Sequence, residues 1–292
     1  MSFIAEEIAR QPDSWRAAAG RLDLDALPQP GERIAVVGCG TSWFMAESYA
    51  RLREEAGLGE SDAWAASEFP AHRDYHRIVA ITRSGTTTEV SRLLADQRGR
   101  VPTTVLTTLT SSPAASLADR VIELDFADES SVVQTVFATT ALALLRAQLG
   151  HDVPALATAA ETALASQLPD AWADAEQITF LGSGWAHGIA REAALKMREA
   201  AQLWTEAYPG MEYRHGPISI AEPGRLVWQL GAGDGALRAE VEATGAGFVS
   251  SGSDPMVELI LVQRLAERIA VGRGLDPDRP RGLSRSVVLG AG

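Results

Sequence analysis

The sequence predicts an α/β protein of two tandem units, each a mainly parallel, doubly wound sheet flanked by helices. Three observations carry that expectation. Short apolar runs alternate with helical patterns through the first half of the chain, as in a parallel sheet covered on both faces. The first run ends in a glycine turn, Gly38-Cys39-Gly40-Thr41-Ser42, that opens a helix. The pattern then restarts. Ile178-Thr179-Phe180-Leu181-Gly182-Ser183-Gly184 repeats Ile34-Ala35-Val36-Val37-Gly38-Cys39-Gly40 at an offset of 144 residues, and a repeat of that length means two similar units in tandem.

In chain order, residues 2–20 read as helix, broken at Gln11-Pro12 with a second start at Asp13 or Ser14. Pro28 to Glu32 is a turn-rich connector. Strands are expected at Arg33–Val37, Ala63–Ala66, Arg77–Thr82, Thr103–Thr107 and Val121–Leu124. Helices fit between most of them: one runs to about Ala56, and the clearest is Glu89–Arg98. A long helix is expected from about Ser131 to Gly150. The boundary between units falls near a helix at Pro154–Pro169. In the second unit a strand and a helix are followed by a loop reaching Pro217. Strands at Leu226–Leu230 and Gly247–Ser250 and a helix at Pro255–Val271 complete it. Little chain remains after Gly252, so this half is expected to be shortened, and the tail LDPDRPRGLSRSVVL to be irregular. The division is 1–153, 154–275 and a tail of 276–292.

Composition narrows the function. The 292 residues, 46% hydrophobic and 22% charged, are those of a soluble globular protein. A net charge of −12 argues against nonspecific binding to nucleic acid or to an anionic membrane. The single cysteine, Cys39, excludes a disulfide framework and reads as a packing residue rather than a nucleophile. The opening residues lack the pattern of a secretory signal, and the most apolar run, Val132 to Leu145, is too short to span a bilayer, so the expected place is the cytoplasm. His72, His76, His151, His187 and His215 have no metal-site spacing; no metal and no cofactor are expected. Trp43 stands where a dinucleotide fingerprint needs its third glycine, Gly188 comes one residue too late in the second copy, and no GxxxxGK[ST] is present.

Most of the chemical information lies between Gly182 and Pro217. Glu192, Lys196 and Glu199 are spaced four and three apart and share one helical face; His215 follows in a loop. An acid, an ammonium and an imidazole are the parts for moving protons near a carbonyl. Lys196 is the sole lysine, against 25 arginines, which suggests a position where a compact ammonium is needed. Two further loops are rich in hydroxyls: Gly40-Thr41-Ser42, and Thr82-Arg83-Ser84-Gly85-Thr86-Thr87-Thr88. Hydroxyls, backbone N–H groups and a helix N-terminus make a phosphate cradle. The alternative for these hydroxyls is helix capping, although one cap needs one hydroxyl and the second loop offers five.

Together the motifs resemble the sugar-isomerase (SIS) family, most closely the isomerase half of glutamine–fructose-6-phosphate aminotransferase and its free-standing deaminase, deglycase and isomerase relatives. The resemblance covers nearly the whole chain as two SIS domains, each a flavodoxin-like three-layer αβα sheet. It rests on GCGTS at 38–42, ASEF at 66–69, TRSGTT at 82–87, EAALKMRE at 192–199, EAYPGMEYRHGP at 206–217 and DPDRPRGLSRSV at 276–287. It implies that Gly40, Thr41, Ser42, Thr82, Ser84, Gly85 and Thr87 hold a sugar phosphate, and that Glu199 shuttles a proton between C1 and C2 through an enediol-type intermediate. It implies that His215 opens the sugar ring from the neighbouring subunit of a homodimer, that Glu192 and Lys196 line the same site, and that the tail completes it.

The departures from the family pattern point in one direction. The chain opens at Met1-Ser2 without a glutaminase domain, so it is not expected to liberate ammonia from glutamine. Arg285 stands where the family has a lysine; an arginine forms no Schiff base but binds an anion or a hydroxyl. Thr86 replaces an acidic residue, and Ser131–Val136 lacks a lysine. These changes favour the catabolic relatives. The competing reading is a non-catalytic phosphosugar sensor.

Overall fold

The computed structural model describes residues 2–290. The N-terminal helices α1 (Phe3–Ala9) and α2 (Gln11–Ala19) lead into β1 (Ile34–Gly38), α3 (Thr41–Glu55), β2 (Ser61–Ala65) and β3 (Arg77–Ile81). Then come α4 (Thr88–Gln97), β4 (Thr103–Thr107), α5 (Pro113–Leu117) and β5 (Arg120–Glu123). Helices α6 (Val136–Gln148), α7 (Val153–Ala165) and α8 (Asp170–Ala173) bridge to the second sheet. That sheet is built from β6 (Gln177–Gly182), α9 (Ala186–Ala201), β7 (Trp204–Pro209), β8 (Arg225–Leu230), α10 (Gly235–Glu242) and β9 (Gly247–Val249), and α11 (Pro255–Gly272) closes it.

Strand order is β2-β1-β3-β4-β5 in the first sheet and β7-β6-β8-β9 in the second, with every pairing parallel. The second sheet repeats the first without its fifth strand. Period-two alternation explains the core. Ile34 and Val36 of β1, Val79 and Ile81 of β3, and Ile178 and Phe180 of β6 join the central cluster with α3, α6, α9 and α11. Ala35, Val37, Ile78 and Ala80 face the other way, onto Val90, Leu93 and Leu94 of α4. Leu181 and Val227 do the same against Leu237 and Val241 of α10. The two sheets thus share one helical layer. Strands β1 and β6 are buried along their whole length, as strands covered on both faces are.

The repeat also shows in its glycines. A Cβ on Gly38 would stand 2.6 Å from the Ser42 backbone, and one on Gly182 would overlap the backbone of Ala186 and His187. At both places the helix turns back directly over the strand end.

Three elements differ from expectation. Residues 204–209, read as loop, form edge strand β7, paired in register with β6 from Trp204 opposite Gln177 to Pro209 opposite Gly182. Pro209 sits where the strand ends and lacks an N–H the ladder would need. Helix α10 was not anticipated, and the helix expected from Ser131 begins at Val136. The segment before it is held by buried carboxylates: Glu129 accepts from the Thr135 and Val136 amides, at 2.5 and 2.6 Å, and Glu7 accepts from Ser130 and Ser131. Pro12 lies in the first turn of α2, where its missing N–H has no intrahelical use. No helix among the described residues is long and apolar enough to cross a membrane.

Candidate active site

In both sheets connections diverge on either side of the first strand, and ligands of open parallel sheets bind outside the strand ends at that point. In the first sheet the point lies between β1 and β3. The loop after β1 leads into α3 at Gly40, φ 54°, and the loop after β3 leads into α4 at Thr87. Neither helix start is capped by a side-chain hydrogen bond. Four helices are capped, with Ser112, Asp152, Asp234 and Asp254 accepting from the first turn of α5, α7, α10 and α11, while α1, α2, α6, α8 and α9 are uncapped like α3 and α4. The hydroxyls near α3 and α4 are therefore not spent on capping. Ser84 Oγ bonds Thr86 Oγ1 at 2.8 Å, which donates to Ser286 Oγ at 2.9 Å.

Between these helix starts lies a cleft in two adjoining compartments. The smaller, about 20 Å³, is lined by Ser42, Thr82, Arg83 and Ser84. The larger, about 190 Å³, is lined by Gly40, Thr41, Glu89, Val132, Glu199 and the tail residues Leu283 to Val287. Cys39, Thr87, Gln134 and Arg285 border both. Gly85, φ +63°, packs against Ser112 and lines neither, so it shapes the loop.

Helix α9 brings chemistry to this cleft from the second sheet's half of the molecule. Gly188 makes this possible: a Cβ there would stand 2.5 Å from Phe44 O and 3.0 Å from Ser48 N of α3. Its role is close helix packing. About two turns further along α9 from that crossing, Lys196 donates to Thr41 Oγ1 at 3.1 Å, lies 3.4 Å from Glu192 and is hydrogen-bonded to Glu199. Three oxygens thus lie around the ammonium, two of them hydrogen-bonded and that of Glu192 at ion-pair distance. A planar guanidinium does not fit that arrangement.

The two carboxylates differ in exposure. The Glu192 side chain is 1% exposed and Glu199 19%, so Glu199 faces the cleft and Glu192 lies behind it. Burial pushes the Glu192 carboxyl up to about 8, against the pull of Lys196. Lys196 is itself moved upward: burial opposes its charge, and the neighbouring carboxylates more than offset that. Glu192, behind the ammonium, keeps a proton at neutral pH. Burial and the nearby Glu89 raise the Cys39 thiol, which stays protonated and is a poor nucleophile.

Two predicted residues sit differently from the rest. His215 ends a 3-10 turn after β7, is exposed and lines neither compartment. The Arg285 guanidinium, which borders the cleft, is paired with Asp128 and the Glu129 carbonyl. Glu89, Val132, Gln134, Ser284, Ser286 and Val287 line the cleft without having been singled out from sequence; Gln134 Oε1 and Glu89 Oε2 are buried there without partners among the described residues. An apolar groove of about 600 Å³, with Leu195, Leu203 and Trp204, opens on the outer side of Glu199. No group of three or more metal-ligating side chains is assembled among the described residues.

A pair of parallel sheets of this order, flanked by helices, is the SIS-type architecture. The comparisons agree. The chain is 29% identical over 98% of its length to the isomerizing glutamine–fructose-6-phosphate aminotransferase of Pyrobaculum aerophilum, of which it spans 57%. Its structure matches a glucosamine-6-phosphate deaminase from Thermotoga maritima with a TM-score of 0.83 and 25% identity, over 99% of this chain and 100% of that one. The tagatose-6-phosphate ketose/aldose isomerase of Escherichia coli shares the fold, with a TM-score of 0.75 at 19% identity over 97% of each chain. No family model matches. The resemblance drawn from the six motifs thus holds over the whole chain.

Proposed function

We propose that this protein is an enzyme of the cytoplasm that binds a phosphorylated sugar or amino sugar and transfers a proton between its C1 and C2 through an enediol or enediolamine. Isomerising deamination or deglycation of an amino-sugar or fructosamine 6-phosphate is favoured over plain aldose–ketose isomerisation. The carrying observation is the pair of uncapped helix starts, at Gly40 and Thr87, facing one cleft that also contains Glu199. The phosphate takes the place of the missing caps, with Thr41, Ser42, Thr82, Ser84 and Thr87 as donors. Glu199 takes the C1 or C2 proton, carries it as the neutral acid and returns it to the neighbouring carbon, with the Lys196 ammonium hydrogen-bonded beside it. His215 acts on the ring oxygen from a second copy in a homodimer. The groove beside Glu199 leaves that face open to it.

The test is proton exchange in D2O with fructose 6-phosphate, glucosamine 6-phosphate and a fructosamine 6-phosphate, followed by NMR. Exchange with release of amine establishes a deaminase or deglycase, and exchange without release an isomerase. Binding of phosphosugars with no exchange overturns the catalytic reading.

A further inference from the structure

The tail is tied to the cleft at several points, and the buried one is made by Arg83, a residue that the proposed reaction does not use. Arg83 follows β3, and its side chain is 1% exposed. Its Nη1 donates to Ser131 O at 3.1 Å and to Glu129 Oε2 at 3.4 Å. Its Nη2 donates to Val132 O at 3.1 Å and to Arg285 O at 3.0 Å. One buried guanidinium therefore joins three walls of the cleft: the hydroxyl loop that carries it, the 129–132 segment and the tail. The connection is reciprocal, because the Arg285 side chain returns to Asp128 and to the carbonyl of Glu129, whose carboxylate pairs with Arg83. The base of the clasp is rigid. Arg83 O accepts from Thr107 Oγ1, Thr108 Oγ1 and the Thr108 amide, at 3.0, 3.0 and 3.1 Å.

We infer that Arg83 is a positioning residue that fastens the C-terminal tail as a wall of the phosphosugar site. The fork geometry matters: four acceptors on two nitrogens suit a guanidinium, and a lysine or glutamine reaches fewer of them. Further along, the tail is held by single hydrogen bonds, Thr86 Oγ1 to Ser286 Oγ, Thr88 N to Val287 O and Leu289 N to Thr88 Oγ1. Without Arg83 the tail keeps those contacts and loses its buried anchor. The consequence for substrate rests on the phosphosugar reading of the cleft; the clasp does not.

The experiment is hydrogen–deuterium exchange on full-length wild type, Arg83→Gln and Arg83→Lys, with KM for the active phosphosugar and Kd for inorganic phosphate measured alongside. Arg83→Gln is expected to speed exchange of the 284–289 amides about tenfold while β1 and β3 stay protected. KM is expected to rise about tenfold with inorganic phosphate affinity changed less than about threefold. Arg83→Lys falls between. Asp128→Asn removes the partner of the Arg285 side chain and loosens the same amides less; it carries the test if Arg83→Gln does not fold. Unchanged tail exchange in these variants overturns the inference. So does an equal loss of phosphate and phosphosugar affinity with the tail intact, which would make Arg83 a direct phosphate ligand. A tail that loosens in a protein whose wild type binds no phosphosugar would sustain the clasp and remove the proposed function instead.

Discussion

The two sheets have the same strand order and the same glycine at the end of their first strand, yet one switch-point crevice is open and the other is filled. In the first, the starts of α3 and α4 are uncapped and face a polar cleft. In the second, the loop after β8 is Gly231-Ala232-Gly233-Asp234-Gly235, without a hydroxyl, and Asp234 caps α10 through the Ala236 amide at 2.9 Å. Arg214 covers that cap, 2.9 Å from Asp234 and 2.7 Å from Glu240. The segment after β7 fills the rest: Tyr213 is fully buried with Leu181, Val227 and Leu237. A Cβ on Gly210 would stand 3.0 Å from Ser183 Oγ. The fold thus offers a ligand site twice. The start of α9 is uncapped like that of α3, so the two crevices differ in the cap on α10, in the residues that fill the space and in the side chains the other half contributes.

The comparison is broken most severely at Glu199. Glu199→Gln is expected to lower kcat by about 10²–10⁴ while phosphosugar Kd stays within a few-fold, whereas Arg214→Ala in the filled crevice leaves turnover near wild type. Steady-state kinetics with a binding isotherm checks both. Next comes the contribution from α9. Lys196→Met takes the cation away from Glu199 and from the buried Glu192 carboxyl and is expected to cost about 3–5 kcal/mol in chemical denaturation. Glu199→Gln in the same background should restore part of it.

A mixing experiment asks whether a second copy completes the open site. Glu199→Gln and His215→Ala proteins, each inactive alone, should recover about one quarter of wild-type activity when randomly reassociated, since half the dimers are mixed and each holds one intact site. Absence of recovery in proteins shown to exchange subunits would place His215 elsewhere. Exchanging the caps gives smaller effects of opposite kinds. Thr87→Asp should abolish phosphosugar binding while leaving stability unchanged or raised by a few tenths of a kcal/mol, and Asp234→Ala should cost about 1 kcal/mol without changing KM.

The smallest effect is in pH. The Glu192 carboxyl is raised from 4.5 to about 8, so the folded state keeps a proton that the unfolded chain releases. That contribution is complete below the ordinary carboxylate value and is lost as pH rises through about 8. His151 and His187, both lowered chiefly by burial, act in the opposite sense near pH 6.5. The difference between wild type and Glu192→Gln isolates the carboxyl. The fall in Tm between about pH 6 and pH 8 should flatten in the variant by roughly 2–4 °C per pH unit.

The parts of this molecule legible in sequence are those whose cause is local. Strand β1 is a fully buried apolar run closed by a glycine, and Glu192, Lys196 and Glu199 declare one helix face by spacing alone. Strand β7 escaped because, as an edge strand with Trp204 exposed and Glu206 and Pro209 in its six residues, it needs neither an apolar run nor alternation. The late start of α6 escaped because Glu7 and Glu129 hold the preceding segment from a distance. Glu89, Gln134 and the Arg83 clasp could not be read at all. Their neighbours are brought together by a tail more than a hundred residues away.

The lone lysine has a chemical consequence for a protein proposed to bind reducing sugars. Sugar carbonyls condense with neutral amines, and every cationic side chain on this surface is an unreactive guanidinium, while the one ε-amine is buried, protonated and set among three oxygens. The folded side chains therefore offer no ε-amine for adduct formation by the carbonyl compounds that the cleft is proposed to handle. An amine-directed reagent would find its first lysine only when α9 separates from α3, and would count each such opening by a single label.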